Sequence, residues 1–147
     1  MTVSKEFEAL APNFKQALMH KAQTVHPYWN LLGMALADVR KGWALIRLPF
    51  EKKLTHADGI AHGGAIFSAA DAAVAMALIG LIERTETMVT IEMKLNYLRP
   101  FAKGVLLAEA RIVHKGTRTA LGAVDVTTEN GDKIAKGLAT YMIIPKT

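Results

Sequence analysis

Residues 56–84 read HADGIAHGGAIFSAADAAVAMALIGLIER, and the fold follows from this stretch. Asp58-Gly59 predicts a turn, and His62-Gly63-Gly64 predicts a tight helix entry, where only glycine lets another group come close to the backbone. The apolar run that follows predicts a helix over residues 65–82. A helix that is apolar on all sides is normally buried, so we expect this helix at the centre of the fold.

Asp71 is the only acid inside this predicted helix. An ionisable group in such surroundings must be paired or take part in chemistry. At about 100° per residue, Asp71 shares one narrow stripe of small residues with Gly64, Ser68 and Ala75. The stripe leaves room for a ligand beside the carboxylate.

The free N–H groups at the start of this helix lie too far from Asp71 to act with it on one bond. At about 1.5 Å per residue, the first turn near Gly63 and Gly64 is roughly 10 Å from the backbone of Asp71. An oxyanion donor and a catalytic carboxylate must each come within about 3 Å of the reacting group. If both act in one reaction, the simplest arrangement is a symmetric dimer in which the Gly63 end of one helix faces Asp71 of the other.

The composition predicts a single globular domain covering residues 1–147. The chain is 51% hydrophobic and 21% charged, without low-complexity segments or internal repeats. It has no cysteine, which excludes disulfides, thiol chemistry and thiolate metal sites. The first residues lack a positive segment followed by an apolar one, so we expect a cytoplasmic location.

The net charge of +5 suits an anionic partner such as a phosphate-bearing molecule. No Lys/Arg run exceeds two residues and no basic stripe alternates with aromatics, so we expect no nucleic-acid partner. The apolar helix is nearly long enough to cross a bilayer. Asp71 near its centre would oppose insertion, so a buried helix is the better interpretation and no membrane partner is expected.

The segment before the core, residues 1–30, is predicted to be helical. A helix is expected over residues 4–20, with Ser4 as N-cap and with Pro12 breaking or bending it. His26-Pro27 predicts extended backbone. The apolar residues that follow would close one end of a pocket or pack against a sheet; they are Tyr28, Trp29, Leu31 and Leu32.

The remaining chain, residues 31–145, predicts strands on both sides of the central helix. Before it, residues 34–40 and 43–48 form a hairpin around Lys41-Gly42. After it, four strands in a meander are expected over residues 88–98, 105–115, 118–128 and 134–144. The first of these alternates strictly, which predicts Val89, Ile91, Met93, Leu95 and Tyr97 on the core face and Thr90, Glu92, Lys94 and Asn96 on the other. The order indicates an α+β fold with an antiparallel sheet curled around one long helix.

With this order of elements, the chain resembles the hotdog-fold acyl-CoA thioesterases, specifically the PaaI-like family of phenylacetate degradation. The resemblance covers residues 30–145 and depends on two motifs, GIAHGGAIFSAADAA at 59–73 and TIEMKLNYLRP at 90–100. It implies a homodimer with active sites shared between subunits, and a homotetramer built from two dimers.

The resemblance also implies roles for individual residues. The backbone N–H of Gly63 would bind the thioester carbonyl, Asp71 from the partner subunit would be general base or nucleophile, and Thr90 would position the attacking water. The family often has Asn six positions before the motif histidine, where this chain has His56. His56 either replaces that Asn as a hydrogen-bond donor or merely faces water.

Residues around the motif are the candidates for substrate binding. These are His62, Gly64, Phe67, Ser68 and Arg99, with Lys103, Lys115 and Arg118 as further cations for the phosphates of coenzyme A. Ser68 lacks the G-x-S-x-G elbow of a hydrolase nucleophile and is interpreted as a small lining residue, and His62 as a residue that stabilises the loop. Phe67, Met76, Leu81, Tyr28 and Trp29 permit an aryl or a medium aliphatic acyl group.

The reaction implied is hydrolysis of an aryl- or short/medium-chain acyl-CoA to the free acid and coenzyme A. Coenzyme A enters only as part of the substrate, and no cofactor is expected. The histidines lack ligand spacing, so no metal is expected either. Two alternatives stay open: a non-catalytic acyl-CoA binding or sensing module, and a hotdog dehydratase acting on β-hydroxyacyl thioesters.

Overall fold

The computed structural model describes residues 3–147, with Val3 by its backbone alone. Three α-helices and two short 3-10 helices are present in this range. They are a 3-10 helix Val3–Glu6, α1 Pro12–Thr24, α2 Pro27–Leu32, a 3-10 helix Lys52–Leu54 and α3 Gly63–Ile79. The strands are β1 Ala35–Arg40, β2 Trp43–Pro49, β3 Glu86–Tyr97, β4 Val105–Lys115, β5 Thr119–Thr128 and β6 Lys133–Pro145.

The six strands form one antiparallel sheet in the order β1-β2-β4-β5-β6-β3, and α3 packs against its concave face. This confirms the predicted α+β fold with a sheet curled around a central helix. Side chains along the middle of α3 are fully buried, among them Ala69, Ala73, Val74, Ala77 and Leu78. No helix of residues 3–147 is long and apolar enough to span a membrane.

The predicted four-strand meander is wrong, because β3 does not pair with β4. Only β4, β5 and β6 form a meander, and β3 lies beside β6 at the far edge of the sheet. The connection from β3 to β4 crosses the start of α3, where Ala61 N–H donates to the Phe101 carbonyl at 2.8 Å. Alternation along a strand predicts that the strand forms and does not identify its neighbours.

Strict alternation along β3 is also wrong. The register between β3 and β6 shifts between Thr90 and Glu92, which makes Ile91 the extra residue of a β-bulge. The bulge changes which side chains face the helix. Val89 and Ile91, predicted as core, are 47% and 53% exposed, whereas Thr90 points toward α3 and bonds to Asp71.

The N-terminal segment departs from the helix predicted over residues 4–20 with a break or bend at Pro12. Ser4 lies inside the first 3-10 helix and is not an N-cap, and α1 begins at Pro12. Proline has no N–H and its φ suits the first turn, so Pro12 starts a helix instead of interrupting one. Pro27 begins α2 in the same way, although extended backbone was predicted at His26-Pro27.

Helices α1 and α2 lie against the rest of the fold through a few specific contacts. The Lys15 ammonium of α1 pairs with the Asp38 carboxylate of β1. Trp29 of α2 is buried, whereas its neighbours Tyr28 and Leu31 are 55% and 66% exposed. Helix α1 therefore packs against β1, and side chains of both helices line a cleft beside α3.

The close approach of α3 to the sheet depends on Gly122 of β5. A Cβ atom at Gly122 would overlap Cγ1 of Val74 on α3. Gly122→Ala is therefore expected to lower the free energy of unfolding by about 1–3 kcal/mol, the usual cost of overpacking. Urea denaturation measures this change.

Gly116→Ala is the matched control. Its Cβ would meet only ordinary contacts, with Thr119 O at 3.5 Å, so its denaturation midpoint should stay at or above that of the wild type. Equal midpoints for Gly122→Ala and the wild type would contradict this account of the helix–sheet contact.

Candidate active site

The carboxylate of Asp71, in the middle of α3, is held by two hydroxyl groups. Its Oδ1 atom accepts hydrogen bonds from the Thr90 hydroxyl at 3.0 Å and from the Tyr141 hydroxyl. Among the hydrogen bonds of residues 3–147, Oδ2 accepts none. The structure thus brings Asp71 and Thr90 together and leaves one carboxylate oxygen available.

Tyr141 is a site residue that the sequence reasoning missed. It lies directly opposite Thr90 in the β3–β6 register and is 2% exposed. Its hydroxyl is also 2.8 Å from the backbone carbonyl of Asp71. The sequence feature that could have identified it is a tyrosine on the same side of β6 as Ala139 and Ile143. A buried tyrosine hydroxyl needs a polar partner, and the site supplies one.

Burial raises the pKa of Tyr141 far above its ordinary value, and the hydrogen bond to Asp71 raises it further. The phenol therefore stays neutral and keeps the proton that it donates. A neutral donor beside the carboxylate orients it without placing a second charge in the site.

Gly63, the first residue of α3, has a backbone N–H without a partner among the hydrogen bonds of residues 3–147. The hydroxyl of Tyr97 donates to the Gly63 carbonyl at 2.8 Å, and a Cβ at position 63 would lie 3.2 Å from the Tyr97 ring. A side chain at position 63 would press against this ring. The N–H that remains free lies at the positive end of the helix dipole.

His62 caps α3. Its Nδ1 atom accepts the Gly64 N–H at 2.8 Å, so that N–H is not available to a ligand. Of the two adjacent glycine N–H groups, that of Gly63 is the one without a partner within residues 3–147.

His56 lines the same cavity as Gly63, together with Tyr97 and Arg99, and the cavity has a volume of about 420 Å³. Its Nδ1 atom accepts the Asp58 N–H at 3.1 Å, which assigns the ring proton to Nε2. His56 therefore has a side-chain hydrogen-bond donor beside Gly63. His56 would need such a donor in order to replace the Asn that the family often has at this position.

Asp71 opens on a different cavity, a cleft of about 420 Å³ between α1–α2 and α3. Four of the five predicted acyl-binding residues line it: Phe67, Met76, Tyr28 and Trp29. Leu81 is absent from this lining and packs near Gly42 instead.

Ser68 connects the two sides of this cleft. The Tyr28 and Ser68 hydroxyls are 2.8 Å apart, and Ser68 donates to the Gly64 carbonyl at 2.8 Å. Its proton is thus engaged, so Tyr28 is the donor of the pair. Ser68 acts as a lining and bridging residue in this arrangement.

The four cations proposed for coenzyme A do not converge. Arg99 and Lys103 line one cavity of about 460 Å³, where Arg99 is 3.3 Å from a carboxylate oxygen of Asp132. Arg118 lines a separate cavity with Met142 and Pro145, and Lys115 ends β4 near it. Only Arg99 also reaches the cavity beside Gly63.

Gly63 and Asp71 are eight positions apart, which is about 12 Å along an α-helix, and they open on cavities with no lining residue in common. Within residues 3–147, no group of three His, Asp or Glu side chains is placed to hold a metal ion. One chain therefore carries a free oxyanion donor and a hydrogen-bonded acid in two separate places.

A curved sheet around a buried helix, with the free N–H at the helix start and the acid at its middle, defines a hotdog-fold protein of the thioesterase type. Residues 58–135 match the thioesterase superfamily, and the chain belongs to that family. The predicted hotdog fold and the predicted membership of a thioesterase family are confirmed.

Relatives and solved structures agree with this assignment. A Saccharolobus solfataricus protein named provisionally as an esterase is 31% identical over 81% of this chain and 79% of its own. The medium/long-chain acyl-CoA thioesterase YigI of Escherichia coli is 29% identical over 80% of this chain and 85% of its own. The Escherichia coli PaaI protein of the phenylacetic acid degradation operon shares the fold, with TM-score 0.80, 22% identity, and coverage of 91% of this chain and 94% of PaaI.

Tyr141→Phe is expected to lower the free energy of unfolding at neutral pH by about 1–3 kcal/mol, because the half-buried Asp71 carboxylate loses a donor. Tyr28→Phe, which removes an exposed hydroxyl, is the control and should cost less than about 1 kcal/mol.

The effect of Tyr141→Phe should depend on pH. In the unfolded chain the phenol ionises near its ordinary pKa of 10.0, whereas in the folded protein it stays neutral at that pH. Its contribution to stability is therefore complete below pH 10 and is lost as the pH rises above it. Urea denaturation across this range should show the two proteins converging; a constant difference would contradict the role given to the phenol.

Proposed function

We propose that the protein hydrolyses aryl- or short/medium-chain acyl-CoA thioesters to the free acid and coenzyme A. The observation that carries the proposal is the separation of the free Gly63 N–H and the hydrogen-bonded Asp71 carboxylate into two cavities of one chain. Each cavity holds half of what thioester hydrolysis needs, and two subunits related by a twofold axis would complete two sites.

The Gly63 N–H of one subunit would bind the thioester carbonyl oxygen, where negative charge develops during attack. The helix dipole strengthens this interaction because the N–H lies at the start of α3. His56, with its proton on Nε2, is placed to donate a second hydrogen bond to the same group.

Asp71 of the other subunit would supply the attacking oxygen or activate it. Thr90 and Tyr141 hold Oδ1, so Oδ2 is the atom that would remove a proton from water or attack the carbonyl carbon. As a general base, Asp71 passes the proton from water to the departing thiolate. As a nucleophile, it displaces the coenzyme A thiolate to form an anhydride, which water then cleaves to the free acid and the original carboxylate.

Coenzyme A would leave the site past Arg99. This residue lines both the cavity of Gly63 and the larger one at Lys103, so the two cations lie along one path for the phosphates. The proposal therefore assigns substrate contacts to Arg99 and Lys103 and none to Lys115 and Arg118.

The homodimer is supported by the outer edge of β3. Among the described strands, β3 pairs only with β6, and its apolar side chains Val89 and Ile91 are 47% and 53% exposed. An apolar free edge is normally covered, and a second copy of β3 would extend the sheet and bring α3 helices together. The homotetramer and the cytoplasmic location stay predictions.

Asp71→Asn is expected to lower kcat for acyl-CoA hydrolysis by about 10²- to 10⁴-fold while acyl-CoA binding is retained. Release of free thiol from a panel of aryl and straight-chain acyl-CoA esters measures turnover, and calorimetry measures binding. Asp125→Asn is the matched control, since Asp125 pairs with Lys136 and Arg111 away from the site. Binding by the wild type without turnover would favour the acyl-CoA sensing module.

The shared site can be tested by complementation between two inactive variants. In a heterodimer of Asp71→Asn and Gly63→Pro, whose proline has no N–H, one site has both native groups and the other has neither. Co-expression with two affinity tags isolates this heterodimer, which should recover about half of the wild-type rate per dimer. Each parent homodimer should be inactive, and a heterodimer that stays inactive would show that both groups act from one subunit.

A further inference from the structure

The cleft beside Asp71 is elongated and runs along one face of α3 toward its C-terminal end. Phe67, Asp71, Ala75 and Ile79 line it at intervals of four residues, which places them in one row on the helix. From Asp71 to Ile79 the row is about 12 Å long. Side chains of α1, α2 and β3 form the other wall of the cleft, across from this row.

A second cavity continues in the same direction. Its volume is about 170 Å³, and beyond Ile79 it is lined by Phe14 of α1 and by Ile82. The two cavities share five lining residues: Leu18, Lys21, Ile79, Thr87 and Met88. Three of these are apolar and come from three different elements, so the two cavities adjoin where α1, the end of α3 and β3 meet.

The far end of the second cavity is polar, unlike the end near Ile79. Charged residues line it there: Glu83, Arg84, Glu86 and Lys146. An alkyl chain that reached this end would have to leave an apolar environment for a polar one. The apolar path available to a ligand therefore has a defined beginning at Asp71 and a defined limit beyond Ile79.

We propose that Leu18, Ile79 and Met88, here called the constriction, set the acyl chain length that the protein accepts. This inference rests on the proposed thioesterase function and assigns its substrate class: straight-chain, medium-length acyl-CoA. Carbon–carbon bonds near 1.5 Å advance an extended chain by about 1.25 Å per carbon, so the path from Asp71 to Ile79 holds about ten carbons.

The same geometry disfavours an aryl substrate. A phenylacetyl group would extend only about half as far from the carbonyl as a ten-carbon chain and would leave the Ile79 end of the row without contacts. Each further buried CH₂ of a straight chain should instead raise kcat/KM about fourfold until the constriction is reached. Beyond it, each added carbon meets the smaller cavity and then the charged end.

The test measures kcat/KM for straight saturated acyl-CoA esters of about four to sixteen carbons and for phenylacetyl-CoA. The wild type should rise about fourfold per carbon to an optimum near ten carbons and then decline. Ile79→Ala joins the two cavities and should move the optimum up by about two to four carbons. Ile79→Phe narrows the passage and should move it down.

Ile112→Ala is the matched control, because Ile112 is a half-buried side chain of the core that lines neither cavity. Its optimum should equal that of the wild type. Both Ile79 substitutions disturb the same packing, so a general loss of stability would change both variants in the same direction. Opposite shifts of the optimum chain length would therefore not follow from it.

Affinity gives a second readout that does not need turnover. Trp29 lines the cleft, so its fluorescence in an Asp71→Asn, Trp43→Phe background reports binding of the same acyl-CoA series. If the wild type hydrolyses no ester, the proposed function fails, and the affinity profile of the Ile79 variants still decides the role of the constriction. An unchanged chain-length profile in both Ile79 variants, or phenylacetyl-CoA as the best ligand, would overturn the inference.

Discussion

The burial of α3 is the constraint on which the rest of this structure depends. A helix with alanines at most of its buried positions can lie very close to a sheet, and Gly122 of β5 allows that approach against Val74. Close packing excludes water from the faces of the helix that touch the sheet. A carboxylate in the middle of such a helix needs hydrogen-bond donors from whichever strands face it. The position of Asp71 thus determines which side chains β3 and β6 must present.

The strands meet this requirement with Thr90 and Tyr141, which lie opposite each other in the β3–β6 register. Two neutral hydroxyls hold one carboxylate oxygen and leave the other without a hydrogen bond within the described residues. The bulge at Ile91 is part of the same solution, because it changes the phase of β3 between Thr90 and Met93. Thr90 and Met93 can then both face α3, whereas strict alternation would place them on opposite faces of the sheet.

The sequence predicts most elements because their signals are local. Apolar periodicity identifies α3 and the strands, and the lone acid with its small neighbours identifies Asp71. The resemblance to thioesterases added Thr90 and Gly63. Three features depend on contacts between distant segments, and the sequence could not predict them. They are β3 beside β6, the bulge at Ile91, and Tyr141 as the second donor to Asp71. Pro12 was misjudged for a local reason, since the same residue either interrupts a helix or begins one.

The edge position of β3 connects the architecture with the two-cavity arrangement. Had β3 paired with β4, as the predicted meander requires, Thr90 would not have lain opposite Tyr141 of β6. At the far edge, Thr90 and Asp71 instead lie beside a free strand with exposed apolar side chains. The helix start with Gly63 is about 12 Å away and opens elsewhere. A second subunit that packed against β3 would therefore approach Asp71 of the first subunit. The Gly63 N–H of the first subunit cannot reach that same carboxylate.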